Sequence, residues 1–116
     1  MSDLRKIDMI TLYPFEMRTT YGDTFTFSFI PNCEISSAEL YVNKNGKTIT
    51  LASTDKNNQN NGVIKNIKPN GYNVTVFPDS FKNNGITPGR YPFKLKIKDN
   101  SDIIKTVSSG TLIVEW

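Results

Sequence analysis

The chain has 116 residues, a formal charge of +3, 37% hydrophobic and 22% charged residues. That composition excludes a disordered chain, and the length is that of one domain, residues 1–116, long enough to bury a core without cross-links. One cysteine and no histidine exclude an intramolecular disulfide, a cysteine-based zinc site and any histidine-dependent triad.

The elements follow in chain order. Residues 5–13, RKIDMITLY, read as a strand ended by Pro14. No apolar core and no small-residue cleavage site mark a signal peptide in this stretch, and no apolar run reaches the 18 residues of a membrane-spanning helix. DTFTFSFI places Phe25, Phe27 and Phe29 on one face and Thr24, Thr26 and Ser28 on the other, the period of a half-buried strand. Cys33 reads as a small buried hydrophobe. AELYVNK turns Leu40 and Val42 inward and KTITLA does the same with Ile49 and Leu51. Asn45-Gly46 between them accepts positive φ at both positions and predicts a two-residue type I′ hairpin. Asp55 to Gly62, DKNNQNNG, is a polar loop without periodicity. GYNVTVFP alternates again, with Tyr72, Val74 and Val76 on one face, and stops at Pro78. PDSFKNNG reads as one helical turn near residues 78–84, capped by Asp79, packed through Phe81 and ended at Gly85.

GITPGRYPFKLKIKDN then sets Tyr91, Phe93, Leu95 and Ile97 inward against Pro92, Lys94, Lys96 and Lys98 outward. DNSD turns the chain into IIKTV, and SSG turns or bulges it into TLIVEW. The sum is an all-β antiparallel sandwich of about seven to eight short strands and one helical turn, with turn signals at sandwich spacing.

Gly89-Arg90-Tyr91-Pro92-Phe93 resembles the corner of immunoglobulin-like sandwiches, where a tyrosine entering a strand bonds back to the loop it has left and a core residue follows two places on. The resemblance implies that Phe93 and Phe27 take the places of the two disulfide-forming cysteines of antibody domains. The buried tryptophan of those domains has no counterpart, since Trp116 is the sole tryptophan. From Gly22 to Trp116 the succession GDTFTF, a helical turn, PGRYPFKLKIKDNSD and SSGTLIVEW is similar to small immunoglobulin-like domains of tailed bacteriophages. That similarity implies a non-enzymatic virion structural protein: a capsid decoration or auxiliary protein, a head-fibre protein, or a tail or baseplate adaptor. Its partners would be capsid, tail or baseplate proteins and copies of itself, and its location the virion, after synthesis in the host cytoplasm. The alternative is a carbohydrate-binding sandwich module, which shares the architecture and makes glycans the partner.

The chemistry of the residues points to binding rather than catalysis. The eleven acids fall mostly at turns and strand ends, as Asp23, Asp55, Asp79, Asp99 and Asp102 do, so no carboxylate pair is set for acid–base work. No phosphate loop appears, since Gly46, Gly62, Gly71 and Gly85 each follow Asn and read as turns. DNSD offers hard oxygens for calcium, but a β-turn with Asx hydrogen bonds explains it better. No metal, cofactor or catalytic residue is expected. The candidate partner-binding residues are the lysine ladder Lys94, Lys96 and Lys98, spaced about 7 Å apart along one strand face, with Arg90 and Lys105 as extensions, and the aromatics Tyr41, Phe77, Tyr13 and Phe15. The ladder reads as a solvated or edge-guarding face or as a patch for an acidic protein. Nucleic acid is disfavoured because Tyr91 and Phe93 point away from the lysines. The two termini, Met1 to Tyr13 and Trp116, are the expected attachment elements.

Overall fold

The computed structural model of the protein describes residues 3–6, 14–31, 34–67 and 71–116. The strands are β1 (Asp3–Lys6), β2 (Pro14–Thr20), β3 (Phe25–Ile30), β4 (Ile35–Lys44), β5 (Lys47–Ser53), β6 (Gly62–Ile67), β7 (Gly71–Val76), β8 (Gly89–Asp99) and β9 (Ile104–Glu115). They form one hydrogen-bonded ladder in the order β1-β3-β7-β6-β5-β4-β8-β9-β2. The ladder folds over between β5 and β6, where pairing narrows to Ser53 with Val63. Layer β1-β3-β7-β6 therefore faces layer β5-β4-β8-β9-β2, and the inward residues of both meet in one core. Phe27, Phe29, Val74 and Val76 come from the first layer, Leu40, Val42, Leu95, Ile97 and Leu112 from the second. The result is an immunoglobulin-like β-sandwich, as the alternation and the tyrosine corner predict.

Local signals are realised where local physics decides them. Asn45 and Gly46 have φ of 53° and 83°, and Lys44 pairs with Lys47 across the two-residue turn. A bulge between Leu40 and Tyr41 then shifts the pairing, so that Leu40 meets Ala52 and not Leu51. The extra residue lets Leu51 and Ala52 both be buried. The corner forms: Tyr91 Oη donates to the Thr87 carbonyl at 2.6 Å. Phe27 and Phe93 are both buried in the same core. Helix α1 (Ser80–Asn83) is the expected single turn, with Phe81 fully buried. It ends in a Schellman arrangement at Gly85, the Ile86 N–H donating to the Phe81 carbonyl at 2.8 Å and the Gly85 N–H to that of Lys82 at 3.2 Å. Asp79 stands at the N-cap but its side chain makes no capping bond. Ser80 Oγ instead donates to the Asn61 carbonyl, tying the turn to the loop before β6.

Two expectations are corrected. Pro14 is the first residue of β2, which is permitted because β2 is an edge strand running parallel to β9; residues 7–13 of the strand expected before it lie outside the described residues. Of the two readings of SSG, a turn or a bulge, the bulge is the one that forms, at its first residue. It lies within β9, whose register slips by one residue opposite Leu95 and Lys96, leaving Val107 and Ser108 both buried. Finally, the segment from Gly62 is strand β6, paired along its length with β7. Gly62 is no turn residue: a Cβ there would lie 2.4 Å from the carbonyl oxygens of both Leu51 and Thr75. There β6 passes close to both β5 and β7. Cys33 lies outside the described residues.

Candidate functional site

β8 runs between β4 and β9, so its outward side chains sit in the middle of the second layer's outer face. Lys94, Lys96 and Lys98 all lie on that face, opposite Tyr41, Glu39 and Ser37 of β4. Ile104 of β9 stands opposite Lys98 and is 66% exposed. Between these side chains runs an open trough of about 320 Å³ lined by Tyr41, Asn43, Thr48, Pro92, Lys94, Lys96 and Ile104. A second depression continues it past Ser37, Glu39, Lys98 and Ile104. From Pro92 to the Lys98–Ile104 pair the strand advances six residues, about 20 Å at the usual rise.

The charges in this face divide into compensated and uncompensated groups. Lys98 lies 3.9 Å from Asp102, and Lys105 3.6 Å from Asp99. Arg90 pairs with Glu16 at 3.6 Å, and Arg18 reaches Glu16 and Glu115. Arg90 is thus tied off, and Lys105, in register with buried Ile97, has the opposite parity from the ladder, so neither extends it as a free charge. Lys94 and Lys96 have no ion pair among the described residues, although Glu39 stands opposite Lys96 in register. The Glu39 carboxylate is turned the other way. Its Oε1 accepts the Tyr41 hydroxyl, and its Oε2 accepts Ser53 Oγ at 3.0 Å and Asn58 Nδ2 at 3.5 Å. Burial, the bond to Glu39 and the nearby negative charge together push the Tyr41 phenol up to about 12.

Tyr41 thus lies beside Lys94, with its ring lining the trough and its hydroxyl held by Glu39. The sequence reading places no aromatic beside the lysines, because it considers β8 alone. Phe77 does not join them. It follows β7, in the other layer, and is 38% exposed. Tyr13 lies outside the described residues. Of Phe15 the backbone is described, paired with Gly110 on the edge strand. Trp116 is 88% exposed with its ring 5.5 Å from that of Tyr21. Sequence reading missed Ile104, Pro92 and Thr48. Ile104 carried a signal, an isoleucine pair directly after a polar turn, and both isoleucines are exposed.

Two further groups carry ligand-type atoms. In DNSD, Asp99 Oδ1 accepts the backbone N–H of Ser101 at 2.9 Å and of Ile103 at 3.0 Å. The bond from Ile103, with those from Ser101 and the Lys105 charge, holds the Asp99 carboxyl below its usual range. This is the Asx-bonded turn, and no cluster of three metal-ligating side chains occurs among the described residues. A second, smaller cleft of about 210 Å³ is lined by Thr48, Thr50, Asn58, Asn60, Asn61 and Asn84. Two of its amides are committed internally: Asn61 Nδ2 donates to the Thr50 carbonyl at 2.8 Å, and Asn84 Nδ2 to Asn61 Oδ1 at 2.8 Å.

No protein-family model matches the chain, and no curated protein matches it in sequence. Comparison with solved structures finds a match to murine CRIg, with a TM-score of 0.55 over 89% of this chain and 94% of that one, at 11% identity. At that identity the likeness shows the fold alone, an immunoglobulin-like β-sandwich. So many solved chains match, 313 in all, that the fold selects no activity by itself.

Proposed function

We propose that this chain is a non-enzymatic structural protein of a bacteriophage virion, docking to other virion proteins through the outer face of β4, β8 and β9. The observation that carries the docking role is the trough beside β8, with two uncompensated lysines, an exposed isoleucine and a half-buried tyrosine along its length. An apolar strip flanked by unpaired charge is what a protein partner buries and steers toward. The virion assignment rests on the sequence pattern, GDTFTF followed by PGRYPFKLKIKDNSD and SSGTLIVEW. The protein would be made in the host cytoplasm and carried in the particle, as a capsid decoration, head-fibre, tail or baseplate component. One copy buries little area, so many copies on a lattice or ring supply avidity.

The test is quantitative mass spectrometry of purified particles. Many copies per particle support the proposal, and the copy number separates a head lattice from a tail ring. Absence from the particles refutes it.

A second reading, a glycan-binding module, draws on the amide- and hydroxyl-lined cleft at Thr48, Thr50, Asn58 and Asn60. Sugar hydroxyls bond to such groups, but no aromatic ring lines that cleft for a sugar face to stack on. A glycan array decides this reading directly.

A further inference from the structure

The trough beside β8 has the length, the alternation and the charge of a seat for one extended segment. Its ends are apolar, Pro92 at one and Ile104, beside Lys98, at the other, and its middle holds Lys94 and Lys96, with Tyr41 in register with Lys94. A strand laid along it projects every second side chain downward at about 7 Å, the spacing of the two lysines. Seven residues cover the distance from Pro92 to Lys98. We propose that the partner presents an extended segment of the pattern apolar-x-acid-x-acid-x-apolar, its two carboxylates over Lys94 and Lys96 and its outer apolar residues over the Pro92 and Ile104 ends. This deepens the docking role proposed above and rests on it.

Charge decides among occupants. A second copy placed face to face would set Lys94 and Lys96 against the same lysines, and like charges opposed in a contact are repelled. Of the carboxylates in the face, Glu16 and Glu115 pair with Arg90 and Arg18, Asp102 lies by Lys98, and Glu39 is held toward Ser53 and Asn58, away from β8. The face is therefore open to carboxylates at its centre. Lys98 already has Asp102, which limits the acidic positions to two. Nucleic acid fits less well, because it would need rings on which successive bases stack; of the two aromatics lining the trough, Phe93 is buried and Tyr41 has its hydroxyl fixed to Glu39.

The probe is the peptide acetyl-Val-Ser-Glu-Ser-Glu-Ser-Val-amide, titrated into the labelled protein and followed by amide chemical shifts. The expected result is a set of shifts confined to residues around Tyr41, Thr48, Lys94, Lys96 and Ile104, weakening as salt rises. Reversing both charges, Lys94→Glu with Lys96→Glu, weakens binding about tenfold or more, from a few-fold per exposed pair. Lys82→Glu, the same reversal at a single exposed position of α1 and so half the total charge change, leaves it unchanged. Replacing both valines of the peptide by serine weakens it several-fold. All three lysines are at the surface, so circular dichroism confirms that each variant is folded.

No shifts at millimolar peptide, shifts spread over the whole surface, or equal loss with Lys82→Glu overturn the proposal. So does a single-stranded oligonucleotide that binds the same residues more tightly than the peptide. The virion reading fails separately. If the chain is abundant in particles but the doubly reversed variant is incorporated like the wild type, the segment proposal is wrong and the virion role stands. If the peptide binds as expected and the chain is absent from particles, the reverse holds.

Discussion

Gly62→Ala isolates the close approach that closes the sandwich. The added methyl would sit 2.4 Å from two backbone carbonyl oxygens, Leu51 on β5 and Thr75 on β7. Carbon–oxygen contacts ordinarily begin at about 3.3 Å, so the strands must part by roughly 0.9 Å on each side. Neither obstacle is a flexible side chain, which places the cost near the top of the overpacking range, about 3 kcal/mol. Removing a glycine from the unfolded chain returns up to about 1 kcal/mol, leaving a net loss of about 2 kcal/mol. For 116 residues the unfolding entropy is about 0.24 kcal/mol/K, so Tm falls by about 8 °C. Differential scanning calorimetry reads this directly. Gly46→Ala is the comparison: nothing lies within 4 Å of its Cβ, but φ is 83°, so its cost is the left-handed backbone alone, about 1 kcal/mol. A Gly62→Ala protein melting within about 2 °C of wild type, or less damaged than Gly46→Ala, would refute the reasoning.

Tyr41 supplies a pH test. Its folded pKa is raised to about 12, so between about 10, the unfolded value, and 12 the native state holds a proton that the unfolded state has lost. The stability it contributes is complete below pH 10 and declines as pH rises through 12. Ultraviolet titration, taken as wild type minus Tyr41→Phe, should show one phenol ionising near 12, and Glu39→Gln should move it back toward 10. Removing the corner bond with Tyr91→Phe frees the Thr87 carbonyl to water and should cost about 1 kcal/mol, or about 4 °C in Tm. An unchanged Tm would show that the corner holds nothing. Ser108→Ala should stabilise the protein, because Ser108 Oγ is buried without a hydrogen-bond partner among the described residues. The expected gain is about 1 kcal/mol by urea denaturation, and a loss of stability would show that the hydroxyl is satisfied.

Much of this molecule is written locally. Phe25, Phe27 and Phe29 alternate with polar residues, and the period alone states which face each side chain takes. Asn45-Gly46 sets its hairpin because both residues tolerate positive φ. Gly89-Arg90-Tyr91 encodes a bond spanning four residues, Tyr91 to Thr87. β6 was not legible in the same way: of GVIKNI, Gly62 and Ile64 are buried and Lys65 to Ile67 are exposed, so the stretch carries no alternation and becomes a strand only because β7 pairs with it. β2 was hidden by Pro14, which ends an interior strand but begins an edge one.

The docking face shows the same division. Periodicity put Lys94, Lys96 and Lys98 on one side of β8, and it put Tyr41 outward on β4. It could not bring Tyr41 beside Lys94, set Ile104 at the end of the trough, turn Glu39 toward Ser53, or leave Phe77 in the other layer. The sequence by itself determined faces, turns and the corner, because backbone sterics and side-chain parity act over a few residues. Which strands became neighbours, and in what register, was decided by the tertiary structure, because β-pairing joins segments far apart in the chain and is selected by the packing of the whole core.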